Sequence, residues 1–250
     1  MPFPTFMENP RPHLFGLLAG LFLATGIAFA SLVVAGAWTR IAESQVINVT
    51  GSARKNVRSD LVIWRAGFST DASTLLEAQQ KLRADYAIVE KFLQAKGASE
   101  VAVLPVQIRE LTVKVDDDSE SARRRVGYRL SQSIEVHATD VELLPRLSAE
   151  STELLEQGVA FMSESIEFIY TKANEAKVEM MAEATKDARA RADQIALQGG
   201  RKIKELRNAR MGVVQINPLY SAATSWEGNN DTTSLEKTIT ATVSATFSLK

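Results

Sequence analysis

The residues best suited to chemistry are few. The stretch "INVTGSARKNVRSDLVIWRAGFST" (47–70) puts Gly51 and Ser52 ahead of Arg54, Lys55 and Arg58, as a phosphate-gripping turn would. Such a turn needs its glycines to run into a helix N-terminus, and the nucleotide-binding version follows its lysine with Ser or Thr. Here Asn56 follows Lys55, and the next residues read as a strand. A strand junction carrying basic residues is therefore expected. His13 and His137 are the two histidines, and His137 shares its strand face with Arg129, Ser131, Ser133 and Glu135, so it reads as a solvated side chain. Asp116, Asp117, Asp118 and Glu120 lack the alternating ligands, central glycine and distal glutamate of a calcium loop. A hairpin tip neutralised by Arg123, Arg124 and Arg125 is expected there. The absence of cysteine excludes disulfides, thiolate metal sites and a cysteine nucleophile. No catalytic, metal or cofactor-binding residue is assigned, and the chain is read as a non-enzyme without a cofactor.

A net charge of -1 gives no general pull towards polyanions, and no basic patch with interleaved aromatics is present, so nucleic acid is not an expected partner. With 45% hydrophobic residues over 250 positions, the chain can bury one large core or two small ones.

The elements begin with "LFGLLAGLFLATGIAFASLVVAGAW", Leu14 to Trp38, which carries no charge. As a helix at about 1.5 Å per residue it reaches roughly 37 Å, beyond the ~30 Å hydrocarbon core. A transmembrane helix is expected over 14–38, after a short segment 1–13. The competing reading is a cleaved signal ending at "AFA" or "AGA"; the apolar run exceeds the usual h-region of about 7–15 residues, which favours the anchor. Gly16, Gly20, Ala24 and Ala28 recur every four residues and form a stripe on which two such helices can pack. Basic residues near the span put Arg11 against Arg40, Arg54, Lys55 and Arg58, a count that does not set orientation when a folded domain follows.

From residue 44 onward strands and helices alternate. Val62, Trp64, Ala66 and Phe68 predict a strand with one buried face; Asp71 is placed as the cap of a helix ending at Gly97, with Leu75, Leu82, Tyr86, Val89 and Leu93 inward. Two strands follow, the first with an apolar face that shifts from Val106 and Ile108 to Leu111 and Val113, which calls for a bulge or bend near Glu110. A shorter helix is expected from Asp140 to about Gln157. A strand over "MSESIEFIYT" precedes a second long helix presenting Val178, Met181, Ala188, Ala192 and Ile195, closed by Gly200. A strand over "KIKELRNARMGVVQIN" leads to the connection Pro218–Ser234, which carries Tyr220 and Trp226, aromatics suited to a contact surface. The last strand alternates from Ile239 to Leu249.

Residues 61–138 and 164–249 share one order: strand, long helix, two strands. The intervals Asp71 to Gly97 and Asn174 to Gly200 are both 26 positions. An α+β fold is expected, two similar β-α-β-β subdomains with long helices on mainly antiparallel sheet, preceded by the transmembrane helix.

The part from 44 to 250 resembles the SIMPL domain family. The likeness rests on "VTGSA" followed by "SD" and a strand, on Gly127 and Tyr128, on "GVAFMSESIEF", and on the alanine ladder "EATKDARARADQIALQGG". Where the family often has a second glycine, this chain has "SARK". The resemblance implies paired α/β subdomains, secretion or an amino-terminal anchor, and large ring-like homo-oligomers; it implies no catalytic residues. The expected protein is then a membrane-anchored scaffold or cage of the bacterial envelope, single-pass in the inner membrane with its domain in the periplasm. Its partners would be the lipid bilayer and its own copies, with Gly16, Gly20, Ala24, Ala28, Tyr220 and Trp226 as interface candidates. The alternative is an envelope module binding a small ligand or peptide.

Overall fold

The computed structural model describes residues 12–42, 45–114 and 123–250. Helix α1 (Pro12–Ala42) is followed by β1 (Val46–Arg58), β2 (Leu61–Ala72), α2 (Leu75–Ala95), β3 (Glu100–Val103), β4 (Gln107–Lys114) and β5 (Arg123–Ala138). Then come α3 (Leu143–Glu150), α4 (Glu153–Glu156), β6 (Ala160–Ile169), α5 (Ala173–Gln198), β7 (Ile203–Met211), β8 (Gln215–Pro218) and β9 (Glu236–Leu249). The fold is α+β, and the pairings β2–β5, β2–β6, β3–β5, β4–β5 and β8–β9 are antiparallel.

The five-stranded sheet has β2 at its heart, flanked by β5 and β6, with β3 and β4 in line along the far edge of β5. Alternation on β2 buries Val62, Trp64, Ala66 and Phe68 with Leu82, Val89 and Leu93 of α2 and Leu144, Leu147 and Leu154 of α3 and α4. Each such large side chain contributes about 1.5–3 kcal/mol on burial. The Trp64 indole N–H donates to Ser163 Oγ at 2.9 Å, so the bulkiest core residue leaves no polar group unpaired.

Helix α2 begins later than expected. Asp71 remains in β2, opposite Arg129 of β5, and accepts two hydrogen bonds of 2.7 Å from its guanidinium. Thr74 is the cap, its hydroxyl accepting from Glu77 N–H at 3.3 Å. Sheet pairing holds the backbone extended past Asp71, and the helix starts at the next residue able to cap. Gly97 and Gly200 take left-handed backbone just past helix ends, at φ of 86° and 72°, as the expected stops require, and Gly158 does the same after α4 at 84°. The helix expected from Asp140 to Gln157 is two, α3 and α4. Ser151 lies between them and its hydroxyl donates back to the Ser148 carbonyl at 2.7 Å, a local bond that competes with helix continuation.

The four-stranded sheet orders β1, β9 and β7, with β8 also on β9. Relative to the repeat read from 61–138 and 164–249, one strand is exchanged: β6 sits beside β2, and the second sheet takes β1 from ahead of the first half. The buried face of α5 matches expectation at Ala188 and Ala192, with Met181 partly buried against the core, and differs at Val178 and Ile195. Ala176, Met180, Ala184, Ala188, Ala192 and Ala196 are buried, whereas Val178 and Ile195 are exposed. The reason is closeness: a Cβ placed on Gly51 of β1 would overlap the Ala184 carbonyl oxygen and the Ala188 backbone. Only small side chains fit a helix that near a strand.

The described residues form two units, one within 50–188 and 210–244, the other within 1–49, 189–209 and 245–250. In the second, Lys202 and Lys250 exchange backbone hydrogen bonds, Leu249 N–H reaches the Gln45 carbonyl at 2.9 Å, and Val49, Ala245 and Phe247 are buried. Helix α1 belongs to it. From Phe15 to Trp38 it is apolar and long enough to cross a membrane, with none of that span buried. Thr25 and Ser31 donate their hydroxyls to the Leu21 and Ile27 carbonyls at 2.9 and 2.8 Å, which satisfies both polar groups within the helix itself.

Candidate functional site

Two of the three basic residues after Gly51, Lys55 and Arg58, are met by acids. Strand β1 runs unbroken through the Gly-Ser pair, so no turn forms there. Ser52 N–H donates to Asp187 at 2.8 Å, Lys55 pairs with Glu179 at 2.5 Å, and Arg58 reaches Glu142 at 2.7 Å and Glu236 at 3.4 Å. The Glu179 hydrogen bond raises the Lys55 pKa. This is a tie between a strand and its neighbours, with no open anion cradle.

His137 ends a row of polar side chains in contact across three strands. Its ring nitrogen lies 2.7 Å from Glu135, Glu135 accepts from Arg65 at 2.7 Å, and Arg65 bonds Glu167 at 2.8 Å. The hydrogen bond from His137, then that from Arg65, lowers the Glu135 carboxyl below its ordinary range. The acidic cluster at Asp116, Asp117, Asp118 and Glu120 lies outside the described residues. Among the described residues no group of three or more His, Cys, Asp or Glu is placed to hold a metal.

Three motif positions are set by close backbone approach or by a side-chain hydrogen bond. Gly51 admits α5. A Cβ on Gly127 would clash with the Ala72 carbonyl oxygen at 2.5 Å. Asp60 accepts from both the amide and the hydroxyl of Thr171, at 2.7 and 2.8 Å, just ahead of α5.

The most built surface feature is the segment from β8 to β9. Its aromatics stand out, Tyr220 93% and Trp226 85% exposed. Its backbone, however, is held from beneath. Gln215 donates to the Ser225 carbonyl at 2.6 Å and accepts from Ser225 and Asn229 amides at 3.2 and 2.9 Å. Asn217 donates to the Ala223 carbonyl at 2.7 Å. Lys237, only 1% exposed, donates to the Asp231 carbonyl at 2.6 Å and its carboxylate at 3.0 Å. Burial pushes the Asp231 carboxyl up, but hydrogen bonds from Thr233, Lys237 and Ser234 outweigh it and bring the pKa down to about 2. Tyr220 itself sits at φ 69°, a left-handed conformation unusual for a ring-bearing residue. Sequence reasoning placed the two aromatics and missed the three pins. The signal was present: Lys237 falls in the inward phase of β9, ahead of Ile239, and Gln215 and Asn217 interrupt an apolar run.

Gly16, Gly20, Ala24 and Ala28 lie exposed along one stripe of α1. Nothing approaches where a Cβ would stand on either glycine. Three clefts among the described residues are small: about 220 Å³ beside Tyr170 and Lys237, about 200 Å³ beside Tyr86 and Leu93, and about 180 Å³ beside His137. Small-molecule sites begin near ~300 Å³.

No curated protein matches the chain in sequence. Among solved structures, an amidase of the hydantoinase/carbamoylase family from Burkholderia phymatum is 9% identical, over 53% of this chain and 35% of its own, at a TM-score of 0.30. The chain thus spans about a third of that enzyme's length. A hydrolase from Listeria innocua is 12% identical over 79% of this chain and 91% of its own, at a TM-score of 0.21. Overlaps this slight carry no information about activity. The family model for SIMPL, "Protein of unknown function (DUF541)", matches residues 47–247. With four-fifths of its length inside that match, the chain belongs to the SIMPL family.

Proposed function

We propose that the chain is a membrane-anchored, non-enzymatic scaffold that assembles with its own copies into a ring or cage at the bacterial envelope. In this reading α1 holds it in the inner membrane and the folded part stands in the periplasm. The observation that carries it is the pinned loop. Tyr220 and Trp226 are turned to solvent on a backbone fixed by buried Gln215, Asn217 and Lys237, an arrangement suited to presenting aromatics to a partner at little entropic cost. The glycine and alanine stripe of α1 adds a second surface on which copies can meet within the bilayer. The absence of an enzymatic role is supported by the engagement of His137, Glu135 and Arg65 with one another. The partners are lipid and further copies of the chain, with no cofactor or nucleic acid required.

The clefts described above are smaller than a typical small-molecule site, which favours the scaffold reading over a ligand-binding module. Sizing of the detergent-solubilised chain, with and without residues 1–40, tests it. Several copies per particle are expected for the full chain, and Trp226→Ala should lower the copy number. Single copies in both forms would end the scaffold reading.

A further inference from the structure

In the unit that carries α1, several chain segments meet at one end. Leu249 N–H donates to the Gln45 carbonyl at 2.9 Å, and Lys250 N–H donates to the Lys202 carbonyl at 2.8 Å. The residues just ahead of β1, just ahead of β7 and at the close of β9 therefore lie side by side. Arg201 N–H reaches back to the Ala196 carbonyl at 2.8 Å, which brings the last turn of α5 to the same end.

With α1 in a bilayer, covalent length keeps this end close to lipid. The apolar span closes at Trp38 and the helix runs on to Ala42. Those four residues rise about 6 Å, and one headgroup layer is roughly 5–8 Å deep. From Ala42 the chain can reach at most about 11 Å before Gln45. Lys202 and its neighbours are thus held within a short distance of the headgroups.

Two features mark the surface there. From Gln194 to Lys204 the sequence holds Arg201, Lys202 and Lys204 and no acid, in a chain whose net charge is -1. All three are exposed, and among the described residues none of them pairs with a carboxylate. Glu205, the next acid along the chain, is engaged by Arg207 at 3.1 Å. The second feature is apolar: Ile195 and Leu197, on either side of buried Ala196, are 55% and 53% exposed. Either feature alone is ordinary on a protein surface. Their meeting within reach of the anchor is what assigns them.

We infer that this end docks on anionic lipid headgroups, with Arg201, Lys202 and Lys204 meeting the phosphates while Ile195 and Leu197 enter the boundary with the acyl chains. Apolar side chains beside unanswered cations are the combination by which surfaces hold to anionic bilayers. The anchor makes the contact intramolecular, so even weak contacts act at high effective concentration. Each cation contributes roughly a fivefold preference for an anionic over a neutral surface. For a protein that assembles in a membrane, lipid charge then controls how this unit is held against the bilayer.

This inference rests on the reading of α1 as the membrane anchor. The test uses the full chain, which has no native cysteine, with a fluorophore on Gln198→Cys, an exposed position that leaves the named residues in place. The labelled chain is reconstituted in phosphatidylcholine vesicles and in vesicles of three parts phosphatidylcholine to one part phosphatidylglycerol, both with a trace of lipid carrying a headgroup quencher. The docking equilibrium read from quenching should favour the anionic vesicles roughly a hundredfold. Salt at about 1 M, where the Debye length is about 3 Å, should remove that preference. Arg201→Glu/Lys202→Glu/Lys204→Glu should bring quenching down to its level in neutral vesicles. Equal quenching in the two vesicles, or quenching that the triple variant keeps, would overturn docking while leaving the anchor intact. A fluorophore shielded from aqueous iodide in neutral vesicles as well would overturn it in favour of a second copy on this surface. A chain washed from both vesicles at high pH would instead overturn the anchor itself.

Discussion

Gly51 is the residue whose replacement has the plainest consequence. The α5 backbone occupies the space a methyl group would need, so Gly51→Ala must push helix and strand apart. Such overpacking typically costs about 1–3 kcal/mol, and here backbone rather than a movable side chain resists it, so the upper end is expected in urea denaturation. Gly97→Ala is the useful contrast, since nothing lies near that position and only the left-handed φ of 86° opposes a side chain; a loss of about 1 kcal/mol is expected. Asp231 supplies a pH signature. Its folded pKa of about 2 lies below the ordinary 3.8, so it contributes stability above pH 4 that is lost as pH falls towards 2. A shift of that size corresponds to about 2 kcal/mol. Stability measured from pH 5 down to 2 should fall less steeply in Asp231→Asn, and an unchanged slope would contradict the assignment. The chemistry-bearing residues were legible in sequence mainly by elimination. Asn56 after Lys55 argued against a phosphate loop, and the acids that occupy Lys55 and Arg58 come from distant positions that no local pattern reveals.

At the scale of elements, α5 carries the clearest test. Ala188→Leu should destabilise by about 1–3 kcal/mol because the stripe lies against a strand, whereas Ile195→Ala should change stability by less than about 0.5 kcal/mol. The opposite ranking would restore the face that hydropathy alone suggests. Valine and isoleucine look like core in a helix, but here closeness of packing selects the smallest residues. Hydropathy does not encode distance, so Ala188 and Ala192 were legible as inward while Val178 and Ile195 were wrongly placed beside them. Strands with a long clean alternation, β2 and β9, were legible because one face is buried throughout. The start of α2 was not, since pairing between Asp71 and Arg129 extends β2 through two residues that local propensity gives to a helix. Thr74→Ala should cost about 1 kcal/mol by removing the cap, a value thermal denaturation can resolve.

At the scale of the whole chain, the repeated order of strand, helix and strands was legible, yet the sheets exchange β1 and β6 relative to it. Strand partners are non-local, and either strand satisfies the same pattern of alternation. The pinned loop was legible as a long connection with aromatics; its rigidity depends on Gln215, Asn217 and Lys237 reaching across it, which length and composition do not announce. The scaffold account makes one demand above all others, that several copies share a particle. Light scattering of the detergent-solubilised chain, corrected for bound detergent, gives the protein mass per particle. The account predicts an integral multiple of 27.4 kDa that persists on dilution. A protein mass of a single 27.4 kDa chain, across detergents and concentrations, would contradict it.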